Sequence, residues 1–292
     1  MKSIYELRPD LPRSATGFVE RVRSALLGKG VWRRLRPRGE IRQLPDGLRR
    51  TRQRLFQLEA QLKLSAMGRR PRGSLEFRAQ HGEDALLWEL LGGQTEGLCI
   101  ECGAFDGLSY SVTSAFDAMG WDSLLVEAIP DQATRCATNR PHARVEHAAL
   151  CGPDHPSALE FTVLPEHYGG MFSFSEATGG QDQAPTYQRR EKVSVPATTM
   201  DKLLEKNFPG RRVDFAVIDV EGGEVELLRG FDLARWKPRV LVIEDNSLGR
   251  SAALPQALAG QPYEMAGWLA MNRVYVHRED RGLMDLIGGK VY

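Results

Sequence analysis

Three carboxylates stand close together in "IDVEGGEVELL": Asp219 at the end of an apolar run, Glu221 on the following turn and Glu224 at the first position of a helix. Acids at this spacing can converge on one face of a strand–turn–helix unit, where one of them could remove a proton from a bound substrate. Acids at a helix start also satisfy free amides and the helix dipole. Three exceed what a cap requires, which points to function.

A second chemical stretch is "IECGAFDGLSYS", residues 100–111. Glu101 ends an apolar strand, and Gly103 and Gly107 flank a turn leading into a helix expected to start near Ser109. Glycine, lacking a Cβ, lets a ligand approach the backbone. The turn is not a dinucleotide fingerprint, because Phe105 and Leu108 stand where G-x-G-x-x-G needs glycine. Glu127 closes the next apolar run, and a carboxylate there can accept hydrogen bonds from both hydroxyls of a ribose. An acid at the first turn suits a cation. Together the two acids fit a nucleoside with an amino-acid tail and no phosphate, the chemistry of S-adenosylmethionine, although acids also end strands in purely structural α/β proteins.

Other candidates are single residues. His167, in "PEHYGGMFSF", could serve as a neutral imidazole base, against the plainer reading of a surface histidine. Residues 152–192 are rich in glycine, aromatics and amides, which suit the C–H faces and hydroxyls of sugar rings. A solvated loop is the alternative reading of that stretch. Cys99 and Cys102 form C-x-x-C, but within a strand they face opposite sides, which argues against a redox or zinc role.

The elements that must position these residues alternate. "GLCIEC" (97–102), "SLLVEA" (123–128), "ARVEHAAL" (143–150), "DFAVIDV" (214–220) and "RVLVIED" (239–245) read as strands, with helix-compatible segments between them. Apolar strands separated by helices predict a mainly parallel sheet covered on both faces, with functional loops at the carboxyl ends of its strands. "YEMAGWLAM" and "NRVYVHRE" read as a closing antiparallel hairpin. Residues 74–292 form this α/β domain, and residues 1–73 a basic, helical extension and linker.

The net charge of +1 hides a strong asymmetry. Residues 1–80 carry 20 Lys and Arg against 7 Asp and Glu. Such a segment suits an anionic membrane surface or a protein partner more than nucleic acid, or is simply a solvated basic face. Within it "DGLRRTRQRLFQLEAQLKLSAMG" reads as a helix starting at Asp46 and stopping at Gly68, and a shorter helix is expected near "ATGFVERVRSALLG". Leu48, Leu55, Leu58 and Leu62 recur at helical spacing. This stripe is expected to pack on the α/β domain; a homo-oligomer seam or a membrane-surface helix are the alternatives. No run of apolar residues is long enough to span a bilayer and the start lacks a signal-peptide core, so a cytoplasmic protein is expected, with peripheral contact at the inner membrane face allowed.

Four stretches in order, "AQHGEDALL" (79–87), "IECGAFDGLSYS", "VSVPATTMDKLL" (193–204) and above all "DFAVIDVEGGEVELLRGF" (214–231), resemble the FkbM family of S-adenosylmethionine-dependent methyltransferases. The resemblance spans roughly residues 76–278 and leaves the basic extension outside. It implies a class I, Rossmann-like fold and methyl transfer, usually to a hydroxyl of a sugar or natural product. It further implies that Glu101, Gly103, Ala104, Asp106 and Gly107 border the methionine part of the cofactor, with Ser109 near by. Glu127, with Ala128 beside it, would hold the ribose, Ala148 and Ala149 would flank the adenine, and Gln80, Glu83 and Asp84 would lie over the entrance.

The end of the fifth strand, "VIEDNS", places Glu244, Asp245 and Asn246 beside the end of the fourth strand, where Asp219 lies, and Asp219, Asp245 and Asn246 resemble the metal site of catechol-type O-methyltransferases. Oxygen ligands of this kind suit Mg²⁺. The expectation is therefore an O-methyltransferase acting on a small-molecule or glycan acceptor, with Asp219, Glu221 or His167 as base. Methylation of nitrogen or carboxyl groups, and a catalytically idle module recruiting a glycan-assembly complex, are the rival readings.

Overall fold

The computed structural model describes residues 46–164, 173–178 and 190–288. His167 and the short helix expected near residues 15–28 lie outside them. The chain begins with α1 (Asp46–Ala66) and α2 (Glu83–Leu90). Strands β1 (Leu98–Cys102), β2 (Asp122–Glu127) and β3 (Arg144–His147) are joined by α3 (Ser114–Met119) and α4 (Pro130–Asn139). After β4 (Ala149–Leu150), β5 (Ala158–Val163) and β6 (Glu191–Thr198) come α5 (Met200–Asn207), β7 (Phe215–Ile218), α6 (Glu224–Arg229) and α7 (Leu233–Trp236). β8 (Val240–Glu244), α8 (Ala253–Ala257), the hairpin β9 (Tyr263–Leu269) and β10 (Asn272–His277), and α9 (Arg281–Gly288) complete the fold.

Seven strands form the main sheet in the order β3-β2-β1-β7-β8-β10-β9. The first five are parallel, and β10 runs antiparallel to both β8 and β9. The register sets Cys102 opposite both Val126 and Ile218, and Ile218 opposite Ile243. Glu127 and Glu244 therefore end their strands, and Gly103 and Asp219 follow theirs, at a common carboxyl edge. That is where chemistry collects in an open parallel sheet.

Strand residues buried on both sides explain the near-continuous apolar runs. On one face Phe116 packs on Phe215 and Trp121, with centroids 4.8 and 5.1 Å apart, and on this face lie α1, α2 and α3. On the other, Leu98, Ile100 and Cys102 meet residues of α5, α6, α7 and α8. Cys99 belongs to the first cluster and Cys102 to the second, so the C-x-x-C pair is split across the sheet. All four cysteines are free and buried.

Two elements differ from expectation. "ARVEHAAL" is not one strand: it breaks at Ala148 into β3 on the main sheet and β4, which pairs with β6 in a separate sheet of three strands, β4-β6-β5. The leucine stripe of α1 does not pack on the domain either. Leu48, Leu58 and Leu62 are 52%, 56% and 41% exposed, while Phe56, Ala60 and Leu64 of the opposite side enter the core. That inward side also takes Arg52, Gln53 and Glu59, tolerated because each has a partner: Glu89 at 2.6 Å, Asp84 at 3.1 Å and the Trp88 indole N–H at 3.2 Å. Helical spacing identified residues that share a face, and polar pairing decided which face turned inward.

Candidate active site

A cavity opens at the carboxyl edge of β1, β2 and β7. Of the residues expected around a cofactor, Gln80, Glu101, Gly103, Ala104, Ser109, Glu127, Ala128, Ala148, Ala149 and Asp219 line it, together with Glu221. The aromatic and aliphatic parts of the wall come from Phe105 and Tyr110 of the glycine turn and from Val112, Ile129, Leu150 and Phe161, which reach the cavity through chain topology.

Glu101 grips the loop that forms the cavity floor. Its carboxylate accepts hydrogen bonds from the Ser111 hydroxyl (2.8 Å), the Val112 amide (2.7 Å) and the Thr113 hydroxyl (2.5 Å). These bonds hold residues 103–113 as an extended turn, so α3 begins at Ser114 and not near Ser109. Arg140 of the segment after α4 braces the same loop from below. It is buried, donates to Asp117 at 2.9 Å and to the Gly107 carbonyl at 3.0 Å, and reaches the Ser111 and Thr113 hydroxyls at 3.2 Å. Arg140→Met is expected to cost about 3–5 kcal/mol in chemical denaturation, since it strands the buried Asp117 charge. An Arg140→Met/Asp117→Leu protein should recover part of that loss, and equal stability of the two variants would refute the pairing argument.

Glu127 is pinned at its strand end by the Phe105 and Ile129 amides, each 2.8 Å from one carboxyl oxygen. Burial raises its pKa although both amides favour the anion. A carboxylate can accept more than these bonds, and Glu127 lines the cavity. Phe105, Tyr110 and Glu221 hold φ of +49°, +58° and +53°. Three non-glycine residues in the left-handed region around one cavity mark backbone strain gathered at a site.

The three acids of "IDVEGGE" divide. Glu224 accepts from the Val220 and Gly222 amides at 3.0 and 3.1 Å, which makes it the brace of the turn and helix start. Asp219 and Glu221 open into the cavity. Asp219 is exposed to the cleft and its carboxyl is paired with that of Glu244; desolvation by the surrounding walls raises its pKa although the Glu244 bond opposes this. Burial, followed by the Asp219 charge, lifts Glu244 above the ordinary carboxyl range, so the two carboxyls titrate as a pair that retains a proton more readily than a free acid. The Asn246 amide fixes the other Glu244 oxygen at 2.7 Å. Burial, Asp219 and Glu224 together push Glu221 up to about 8. Near by, burial raises Glu83 to about 7, while Asn272 donates to it at 2.8 Å. Asn272 carries the part of the site least visible in the sequence, since its partner Glu83 lies far away in the chain.

Four other expected residues are occupied elsewhere. Asp84 is fully buried and accepts from Gln53 (3.1 Å) and the Ala79 amide (2.8 Å), tying α1 to the domain. Asp106 closes its own turn onto the Leu108 and Ser109 amides at 2.9 and 2.6 Å. At Gly107 a Cβ would meet Cys136 and Arg140 at 2.9 Å, so its glycine serves packing behind the loop. Asp245 is joined to Arg273 at 2.6 Å and to the Ser247 hydroxyl at 2.5 Å. Although burial opposes it, these partners hold its pKa below the usual value.

The Mg²⁺ expectation on Asp219, Asp245 and Asn246 finds no support in the donor chemistry. Asp245 already neutralises the Arg273 guanidinium at 2.6 Å and accepts from the Ser247 hydroxyl. Among the described residues no group of three or more His, Cys, Asp or Glu could hold a metal ion.

S-adenosylmethionine fits the cavity better. Gly103 brings backbone to its floor without a side chain, Glu127 lines the cavity, and two acids face the space a sulfonium would enter. The strand order, closed on one side by the reversed hairpin, is that of the class I methyltransferases. Residues 101–269 match the Methyltransferase FkbM domain, which places the chain in that family of S-adenosylmethionine-dependent methyltransferases.

Among solved structures, the chain is similar to a TehB-like SAM-dependent methyltransferase from Corynebacterium glutamicum, with 11% identity and a TM-score of 0.35 over 74% of this chain and 92% of that one. It is also similar to a SAM dependent methyltransferase from Aquifex aeolicus, with 8% identity and a TM-score of 0.34 over 67% and 87%. No curated protein matches it.

Proposed function

We propose that the protein transfers a methyl group from S-adenosylmethionine to a hydroxyl of a sugar, glycan or glycosylated natural product. The observation that carries this reading is the Asp219–Glu244 pair, in which Asp219 lines the cavity and is exposed to it while its partner Glu244 is buried behind it. A hydroxyl acceptor must lose its proton as oxygen attacks the methyl carbon and the sulfonium leaves as a thioether. An Asp219 anion held ready by a neutral Glu244 suits that proton transfer.

In this reading Glu127 and Ala128 hold the ribose, Ala148 and Ala149 border the adenine, and Glu101, Gly103 and Ala104 frame the amino-acid tail. Gln80 and Ser109 stand at the rim. Tyr110, 52% exposed beside the cavity, offers an aromatic face to the C–H side of a sugar ring. Glu221 is the second candidate base. His167 is retained only as a sequence expectation.

The test is transfer of labelled methyl from S-adenosylmethionine to a panel of oligosaccharides, glycosylated metabolites, amines and carboxylic acids. Label appearing as a base-stable ether on a hydroxyl supports the proposal. Label found only on amines, or released by base as methanol from an ester, would replace it with one of the rival chemistries. Cofactor binding by calorimetry without transfer to any member of the panel would favour the idle binding module.

A further inference from the structure

The outward face of α1 is unlike the rest of the described surface. Leu48, Leu55, Leu58 and Leu62 form one ridge along it, three of them largely exposed and Leu55 partly so. Arg50 and Arg54 flank the ridge, and both are exposed. Neither has an ion-pair partner among the described residues. A shallow groove beside the ridge, between α1 and the segment leading to Phe77, is lined by Arg50, Arg54, Gln57 and Leu58. Its one acid, Glu76, is already paired with Arg78 at 2.7 Å.

We propose that this face docks on an anionic lipid surface, the leucines entering the headgroup boundary while Arg50 and Arg54 meet lipid phosphates. The pairing of an apolar ridge with adjacent arginines on one helix is the pattern of a helix lying in a membrane interface. The charge around it agrees. Residues 1–45, which lead directly into α1, carry 11 Lys and Arg against 4 Asp and Glu, and each basic residue near an anionic leaflet adds to binding.

A second copy of this chain is the less complementary occupant. The acids of α1 are Asp46, bound to Arg49, and Glu59, buried against Trp88 and Lys63. A twofold pairing of two such ridges would set Arg50 and Arg54 beside their own counterparts with no acid to offset them. The seven-residue steps from Leu48 to Leu55 to Leu62 suit a coiled-coil seam, but the flanking charges do not.

The full-length protein is tested by co-sedimentation with vesicles of phosphatidylcholine alone and with about one-third phosphatidylglycerol, at low and high salt. Binding is expected on the anionic vesicles only, weakened by salt. Leu58→Ser/Leu62→Ser, at positions already exposed, should weaken it about tenfold while circular dichroism and S-adenosylmethionine affinity stay as in the parent. Arg50→Gln/Arg54→Gln should weaken it and reduce its salt dependence. Absence of vesicle binding, or equal binding by the leucine variant, overturns the proposal. A dimer in analytical ultracentrifugation that the leucine variant splits would assign the ridge to a second copy instead.

Discussion

A Gly103→Ala protein is expected to lose S-adenosylmethionine binding and to unfold about 6–12 °C below the parent. A Cβ at this position would lie 1.8 Å from the backbone carbonyl oxygen of Asp219 and 3.0 Å from its carbon. Neither partner can yield cheaply. The Gly103 amide is bonded to the Val126 carbonyl at 2.9 Å, and the Asp219 amide to the Cys102 carbonyl at 3.2 Å, so three strand ends are locked together at this point. The residue also sits at φ +79°, which costs an alanine about 1–2 kcal/mol before any clash.

Strain and forced separation of β1 from β7 together should cost about 3 kcal/mol, and each kcal/mol lowers the melting temperature of a chain this size by about 2–4 °C. Gly210→Ala is the control. It shares a left-handed φ of +72° but has nothing within 4 Å of the new Cβ, so it should cost about 1 kcal/mol and leave cofactor affinity unchanged. Calorimetric binding by Gly103→Ala at parental affinity would mean that the β1–β7 junction is not the floor of the site.

That junction was legible in the sequence because its physics is local. A strand read from "GLCIEC", glycines in the turn after it and an acid ending each apolar run suffice to place Gly103, Glu127 and Asp219 on one edge. What was not legible depends on partners distant in the chain. Asp245 reads as a metal ligand until Arg273, on β10, is seen beside it. Asp106 reads as a ligand contact, yet it satisfies amides two and three residues on, as Asp in a turn often does.

β3 was read as continuous with β4 because "ARVEHAAL" has strand-forming residues throughout, but β3 is an edge strand with no fully buried residue. Its neighbour β4 belongs to another sheet. The α1 stripe shows the same limit from the other side, since periodicity cannot report that Arg52, Gln53 and Glu59 will find buried partners. Glu244, by contrast, is placed beside Asp219 by the sequence itself, and the register of β7 against β8 agrees.

Asp219→Asn is expected to lower kcat by roughly a hundredfold to ten-thousandfold, the range for removing a general base, while Glu244→Gln stays within about tenfold because a glutamine N–H can still donate to Asp219. Glu244→Ala should fall nearer to Asp219→Asn, since the anion then loses its partner. The surrounding acids add a pH signature. Glu221 is raised from 4.5 to about 8 and Glu83 to about 7, so the folded, ligand-free protein binds protons that the unfolded chain has released. Their contribution to stability is full below about pH 4.5 and is lost as pH rises through 7 and 8. The melting temperature of the ligand-free protein should therefore decline from pH 5 to 9, and less so in Glu221→Gln.

A sulfonium reverses that cost, because a cation in the cavity favours the ionised acids. A charge a few ångströms away in this cleft is worth about 1–3 kcal/mol, so the preference for S-adenosylmethionine over its neutral, demethylated product should grow about tenfold between pH 6 and 9. Calorimetry on parent and Glu221→Gln measures it directly. A preference that is flat with pH in the parent would show that the sulfonium lies away from Asp219 and Glu221. The loss of kcat in Asp219→Asn would then have to come from the shape of the edge and not from proton transfer.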